Sequence, residues 1–356
     1  MSAPAIFRLP TLRAGARGRI LSGMRPTGRL HLGNWVGALK NWVELQDTWE
    51  NFHMVADWHA LTTATDRTEE IQSNTYEMVL DWLAAGIDPK KSPMFVQSHV
   101  KEHAELHLLF SMLVTKARLE RNPTLKDQVR DLGMEDATIS YGHLGYACLQ
   151  AADILLYRAN AVPVGEDQVP HIEITREIAR RFNHLYAPDD PVFPEPEPLL
   201  TAFPRLRGLD GGRMSKSVGN TVLLADTPEE IFAKVRTAFT DPTKIRKNDP
   251  GHPEGCVVWE YHRLFNPGGF EEIGRLCRAG ELGCVDDKKH LTQIMVDALA
   301  PIRSRREELA KSPDYVWDVL REGAARARSE AVATMERVRS AMHLVDPKGG
   351  GSHGGL

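Results

Sequence analysis

Short apolar runs alternate with longer amphipathic stretches through the first half of the chain. Ile20-Leu21 precedes the turn Arg25-Pro26-Thr27-Gly28, and Phe52-His53-Met54-Val55-Ala56, Pro93-Met94-Phe95-Val96 and Ala161-Val162-Pro163-Val164 read as further buried strands. Between them Trp35, Val36, Leu39 and Val43 fall at helical spacing. So do Ile71, Thr75, Met78, Val79, Trp82 and Leu83, in a helix predicted from near Asp66 to Gly86. Strands alternating with helices predict an α/β fold with a parallel, doubly wound sheet. A Pro-rich break runs from Ala187 to Pro204, and a Gly-rich loop from Gly208 to Gly219. Beyond it the pattern is mainly helical to about His343 with no convincing strand, and the heavily charged segment 301–340 reads as helix with an exposed face. The expected organisation is a disordered leader over 1–18, an α/β domain over 19–205, a mobile loop over 206–221, a helical domain over 222–344 and a flexible tail over 345–356.

Composition narrows the class. The chain has 356 residues with 42% hydrophobic content, enough for one large or two moderate cores. A formal net charge of -4 argues against non-specific coating of nucleic acid, so any RNA contact should come from a local basic face. Four cysteines do not make a disulfide scaffold at this length. No apolar run approaches the ~20 residues of a membrane span. The leader carries Arg8, Arg13 and Arg17 without the apolar stretch of a secretory signal, so a cytoplasmic protein is expected.

Two segments have the chemistry of phosphate handling. In Ser22-Gly23-Met24-Arg25-Pro26-Thr27-Gly28 followed by His31-Leu32-Gly33-Asn34, a strand ends, a turn follows and a helix begins near Gly33. A helix N-terminus offers free N–H groups and partial positive charge to phosphate. Gly33 lets a nucleotide approach, and His31 and Asn34 can donate to phosphate oxygens. Gly211-Gly212-Arg213-Met214-Ser215-Lys216-Ser217 places two cations and two hydroxyls on a loop that could close over a triphosphate. Lys216 would neutralise charge on departing pyrophosphate, and closure would exclude water.

Together the segments resemble the HIGH and KMSKS signatures of class I aminoacyl-tRNA synthetases, with Asn34 in place of the final His and Arg213 in place of the first Lys. The resemblance implies a Rossmann-type catalytic domain that activates an amino acid with ATP and Mg²⁺ and passes it to tRNA. No Walker-type phosphate loop is present. Three further stretches, Ala56-Asp57-Trp58-His59-Ala60-Leu61-Thr62-Thr63, Tyr146 to Tyr157 and Val162 to Arg176, look like the tryptophanyl-tRNA synthetase family, and the resemblance runs from about residue 19 to residue 343.

The middle stretch has a physical argument of its own. Tyr146, Gln150 and Asp153 share one helix face among apolar neighbours, where a carboxylate is costly without a partner. An indole N–H is a donor only and suits a carboxylate acceptor. The resemblance implies that Asp153 accepts it, that Tyr146 and Gln168 hold the amino acid's ammonium, and that Leu21 and His59 line the pocket. It also implies that Gly165-Glu166-Asp167 meets the ATP ribose, with Asp167 accepting from a ribose hydroxyl, and that Leu206 and the Met214 backbone flank the adenine. Arg25, followed by Pro26 and Thr27, would lie near the α-phosphate, and Lys126 matches a mobile-loop lysine that reaches the phosphates. No resident metal is expected.

The tyrosyl enzymes are the nearest alternative, disfavoured by Gly165-Glu166-Asp167-Gln168 and by Asp57-Trp58-His59-Ala60. A paralogue that binds tryptophan without charging tRNA is the other. Cys256, Cys277, Cys284 and Asp287 resemble an incomplete form of the four-cysteine [4Fe–4S] site of some bacterial relatives. Such clusters normally take four thiolates, so no cluster is expected. Cys148 reads as core. By resemblance the helical domain reads the anticodon of tRNA(Trp) and the protein is a homodimer. Lys244, Arg246, Lys247, Arg303, Arg305 and Arg306 are candidate RNA-backbone contacts.

Overall fold

The computed structural model describes residues 18–131, 133, 138–200 and 206–345. The expected leader and tail lie almost wholly outside these. Five strands, β1 Arg19–Met24, β2 Glu50–Val55, β3 Met94–Val96, β4 Ala161–Val164 and β5 Glu197–Leu200, pair in the order β3-β2-β1-β4-β5. All neighbours are parallel, with Leu21 opposite Phe52, Ile20 opposite Ala161, Met54 opposite Phe95 and Val162 opposite Pro198.

The helices follow in chain order. The first stretch comprises α1 Leu32–Asn34, a π-helical turn Trp35–Leu39 and α2 Lys40–Leu45. Then come α3 Asp57–Leu61, α4 Glu70–Ala85, α5 Glu102–Ser111, α6 Lys116–Glu120, α7 Pro123–Asp131, α8 Tyr141–Leu144, α9 Tyr146–Leu156 and α10 Val169–Tyr186. The second half carries α11 Pro228–Arg236, α12 Val257–Phe265, α13 Phe270–Arg278, α14 Cys284–Ala310 and α15 Pro313–Ala341.

The four expected strands form. The fifth lies inside the Pro-rich break, where Glu197-Pro198-Leu199-Leu200 has no alternation to announce it. Pro198 is tolerated because β5 is an edge strand. Helix α4 begins at Glu70, later than Asp66, and ends against Gly86 as expected. Chain connections reverse direction between β1 and β4. This is the switch point at which open α/β sheets bind ligands beyond their strand ends. Both the Arg25–Gly28 turn after β1 and the Gly165–Gln168 turn after β4 sit there.

One apolar cluster covers each face of the sheet, and α15 contributes to both. Val316, Val319 and Leu320 join Met78, Trp82 and Met94, while Ala327, Ala331, Met335 and Val338 join Phe95, Leu106 and Leu155. The charged 301–340 stretch therefore buries a full stripe at helical spacing. At its centre Gly323 meets β3 backbone to backbone, and a Cβ there would lie 1.8 Å from the Met94 carbonyl oxygen. Among the described residues no helix is long and apolar enough to cross a membrane.

Two stability predictions follow from this packing. Gly323→Ala should cost at least the ~1–3 kcal/mol usual for overpacking, read as a lower denaturant midpoint, because the obstructing atom is backbone and cannot rotate away. His53, fully buried and stacked on Trp42 at 4.7 Å, has its imidazole pushed down to about 3 by burial. Between pH 6.5 and 3 the unfolded chain then binds a proton that the folded chain refuses. Stability should fall on acidification through that window by up to about 1.4 kcal/mol per pH unit from this group, and His53→Leu should flatten the slope.

Candidate active site

The turn after β1 and the Gly-rich loop meet directly. Asn34 and His31 form a reciprocal cap: Asn34 N–H donates to His31 Nδ1 at 3.3 Å and His31 N–H donates to Asn34 Oδ1 at 3.1 Å. The cap makes Nδ1 an acceptor, so the ring proton sits on Nε2. Burial and the nearby Lys216 hold His31 down at about 4, so the side chain is a neutral donor at physiological pH. Asn34 at the last motif position thus serves its own helix N-terminus through Oδ1 and keeps its NH₂ for another acceptor. Gly33 donates its N–H to Met214 Sδ at 3.3 Å, and a Cβ there would lie only 3.0 Å from both that sulfur and the His31 ring.

Lys216 reaches back over the β1 turn. Its ammonium donates to the Thr27 carbonyl, to the Arg29 carbonyl at 2.7 Å and to Thr27 Oγ1 at 3.3 Å. Burial lowers its pKa, and Asp81 partly opposes that. The loop's shape comes from Asn220, a buried residue that the sequence pattern did not single out. Its Oδ1 accepts from Ser215 N–H at 2.8 Å, and its NH₂ donates to Asp210 at 2.8 Å and to the Arg213 carbonyl at 3.0 Å. Ser215 and Ser217 hydroxyls pair at 2.8 Å. Beyond the loop, Leu32 N–H donates to Val222 and Leu224 N–H to Leu30, which laces the loop's exit to the first motif. Leu206 and Met214 pack on the same cluster as Leu30 and Leu32.

A second group lies around α9. Asp153, 2% exposed, accepts from Gln97 Nε2 at 2.8 Å and His103 Nδ1 at 2.7 Å on Oδ1, and from His59 Nε2 at 2.7 Å on Oδ2. Burial alone would raise this carboxyl, but the bonds from His103 and His59 overcome it and hold it at about 2. A carboxylate on this apolar helix face needs a ligand or a partner, and the structure gives its oxygens three internal donors, from residues far away in the chain. Tyr146 stacks edge-on to His59 at 4.4 Å and lies 5.5 Å from His171, with Leu21 in the adjoining apolar cluster. Burial raises the Tyr146 phenol against the nearby Arg25 cation.

The remaining expected residues fall at the rim. Arg25 is exposed and donates to Thr63 Oγ1 at 3.2 Å, and Pro26 is buried beneath it. Gly165, Glu166, Asp167 and Gln168 form the turn after β4, where Gln168 donates to Asp167 Oδ2 at 3.1 Å. Lys126 stands on a helix rather than a loop. It is exposed on α7, whose Thr124 hydroxyl donates to the Asp167 carbonyl at 2.9 Å and ties the helix to the site. Two of the candidate RNA contacts are internal. Lys244 is buried and caps the Lys247 and Asp249 carbonyls, and Arg306 pairs with Asp81 and Glu77. Asp287 accepts from His262 at 3.0 Å, so the fourth position of the incomplete cysteine pattern is already engaged. Among the described residues no three His, Cys, Asp or Glu side chains are arranged to hold a metal.

Asp81 was legible in principle, as a carboxylate inside the apolar run Met78 to Leu83. It is fully buried, accepts Leu30 N–H and the Arg306 guanidinium at 2.6 Å each, and has its carboxyl raised by burial against those two partners. Asp81→Ala should cost about 3–5 kcal/mol in urea unfolding, since it leaves an arginine and an amide without their acceptor, whereas Asp81→Asn should cost less.

The chain matches the family model of class I tRNA synthetases (W and Y) over residues 14–300. It is 52% identical to the tryptophan–tRNA ligase of Thermotoga maritima, over 92% of this chain and 99% of that one. It is 45% identical to the tryptophan–tRNA ligase of Aquifex aeolicus, over 92% of this chain and 100% of that one. The structure of tryptophanyl-tRNA synthetase from Campylobacter jejuni, complexed with ADP and tryptophan, superposes with a TM-score of 0.81 at 32% identity, covering 92% of this chain and 100% of that one. With its two interlocked signature segments at the sheet's switch point, the chain belongs to the class I tRNA synthetases of the tryptophan and tyrosine group.

Proposed function

We propose that this enzyme is a tryptophan–tRNA ligase, which activates L-tryptophan with ATP and transfers it to tRNA(Trp). The observation that carries the chemistry is the contact between its two signatures: Met214 against Gly33, and Lys216 across the Thr27–Arg29 turn. ATP, bringing Mg²⁺ on its own phosphates, would lie between them. Its ribose would face Asp167 and Glu166 and its adenine would lie by Leu206 and the Met214 backbone. The neutral His31 Nε2–H and the α1 amides would donate to phosphate oxygens. Arg25 would stand near the α-phosphate and the substrate carboxylate.

The tryptophan carboxylate attacks the α-phosphorus, the bond to the β-phosphate oxygen breaks, and pyrophosphate leaves with its charge met by Lys216, Arg213 and Lys126. A terminal ribose hydroxyl of tRNA then attacks the carbonyl and releases AMP. No side chain needs to form a covalent intermediate, so positioning and charge stabilisation supply the acceleration. Tyr146 and Gln168 would hold the ammonium, while Leu21, His59 and Asp153 line the ring pocket. The helices after residue 222 would meet the anticodon, through Arg305 and Arg246 rather than the internally paired Arg306 and Lys244. A homodimer in the cytoplasm completes the reading.

Tryptophan-dependent exchange of labelled pyrophosphate into ATP tests this. Exchange with tryptophan but not tyrosine is expected, and tyrosine as the sole supporting amino acid would refute it. Exchange without charging of tRNA would instead mark a paralogue. Lys216→Ala should lower the exchange rate roughly 10²–10³-fold with little change in tryptophan binding, and an unchanged rate would remove Lys216 from the pyrophosphate.

A further inference from the structure

Three uncharged oxygens hold the Lys216 ammonium: the Thr27 carbonyl, the Arg29 carbonyl at 2.7 Å and Thr27 Oγ1 at 3.3 Å. The Arg29 carbonyl belongs to the same peptide group as the Leu30 N–H, and that N–H donates to Asp81 at 2.6 Å. One peptide unit thus carries a cation on its oxygen and an anion on its N–H. Each charge polarises the group so that the opposite bond strengthens. The unit is planar, so the direction of its N–H toward Asp81 also fixes the direction in which its oxygen meets Lys216.

The other side of Asp81 leads to the helical half of the chain. Its Oδ1 accepts from Arg306 Nε at 2.6 Å, and the same guanidinium pairs through Nη2 with Glu77. Glu77 accepts in turn from Arg29 Nε at 2.9 Å. The residue whose carbonyl takes Lys216 is therefore clamped twice, at its side chain through Glu77 and at the following amide through Asp81. Both carboxylates stand on one face of α4, one turn apart, and both converge on one arginine of α14. The two arms differ in strength. The Asp81 side chain is fully buried and that of Arg306 is 11% exposed, whereas that of Arg29 is 52% exposed. An ion pair open to solvent contributes little, so the Asp81 arm dominates. A planar guanidinium reaches both carboxylates in fixed geometry, which a lysine ammonium does not.

We propose that Arg306 is a positioning residue for Lys216. Through Asp81 it sets the plane of the Arg29–Leu30 peptide, and that peptide's carbonyl sets where the ammonium stands to meet the departing pyrophosphate. This rests on the role of Lys216 in tryptophan activation. The adenylation step thereby depends on a side chain of the helical half that is remote in sequence from both signatures. Displacement of a charge-stabilising group by about 1 Å can cost roughly 10²-fold in rate, so a modest turn of one peptide is enough to be felt.

A double-mutant cycle on the full-length enzyme tests this. Tryptophan-dependent pyrophosphate exchange is measured for the parent, Arg306→Gln, Arg306→Lys and Lys216→Ala, and for Lys216→Ala combined with each Arg306 change. Arg306→Gln should lower kcat roughly tenfold while the KM for tryptophan stays within about twofold. Arg306→Lys should recover only part of the loss. In the Lys216→Ala background the same substitutions should change kcat by less than about twofold, because the lysine whose place they set is gone. Equal losses with and without Lys216 would mean that Arg306 acts on the fold alone and would overturn the proposal, as would an unchanged kcat in Arg306→Gln. Binding of labelled tryptophan in equilibrium dialysis reports the folded fraction of each variant. Should Arg306→Gln not fold, Glu77→Gln loosens the more exposed arm of the same clamp. It should give a smaller loss that again disappears in Lys216→Ala, and a loss that persists there would overturn the proposal equally. An undiminished rate in Lys216→Ala alone would instead remove the role of Lys216 itself, which is a separate and recognisable failure.

Discussion

The carboxylate of Asp81 is the constraint on which the active-site geometry depends. It is fully buried in α4, and it holds the Leu30 amide on one side and the Arg306 guanidinium on the other. Leu30 is the residue before His31, and Leu30 and Leu32 exchange backbone bonds with the segment that closes the Gly-rich loop. One buried charge thereby sets the height of the first signature, the exit of the second and the docking of α14. Removing a single partner from such a group is far more damaging than the pair's net contribution suggests, because the remaining charge stays buried. The group also lies close enough to Lys216 to oppose the lowering of that lysine's pKa by burial.

The region around α9 repeats the principle with different chemistry. Asp153 is anionic because imidazole and amide donors surround it, and their orientation is fixed in return. The signature segments and the region around α9 are thus each organised by an internal carboxylate, set in both cases among the buried apolar residues of a helix. Rigid placement of donors before substrate arrives is what a reaction driven by positioning requires.

Much of this was legible in the chain. Four strands announced themselves as apolar runs, and the two signatures stood out because phosphate handling restricts residue type so tightly. What the sequence hid was pairing over distance. Arg306 looks like one more surface cation until Asp81, in a helix of the other half, takes it out of solvent. Lys244 is hidden the same way by local carbonyls. Asn220 carries no mark that separates it from any loop asparagine, although it shapes the loop. The strand β5 was missed because an edge strand with one buried residue and a proline lacks the usual pattern. The π-helical turn Trp35–Leu39 had no sequence signal either, since its residues also satisfy ordinary helical spacing.

The close approach of Gly323 to β3 bears on how the molecule is made. The edge of the sheet at β3 is sealed by a helix that begins at Pro313, near the end of the described chain. A nascent chain on the ribosome exposes β1, β2 and β3 long before that helix emerges. Until then the sheet presents a bare strand edge, the kind of surface that recruits other strands. Ordering of the catalytic half must therefore await synthesis of α15. Truncated products would carry both signatures and yet present an adhesive edge, which makes them substrates for chaperones rather than partial enzymes.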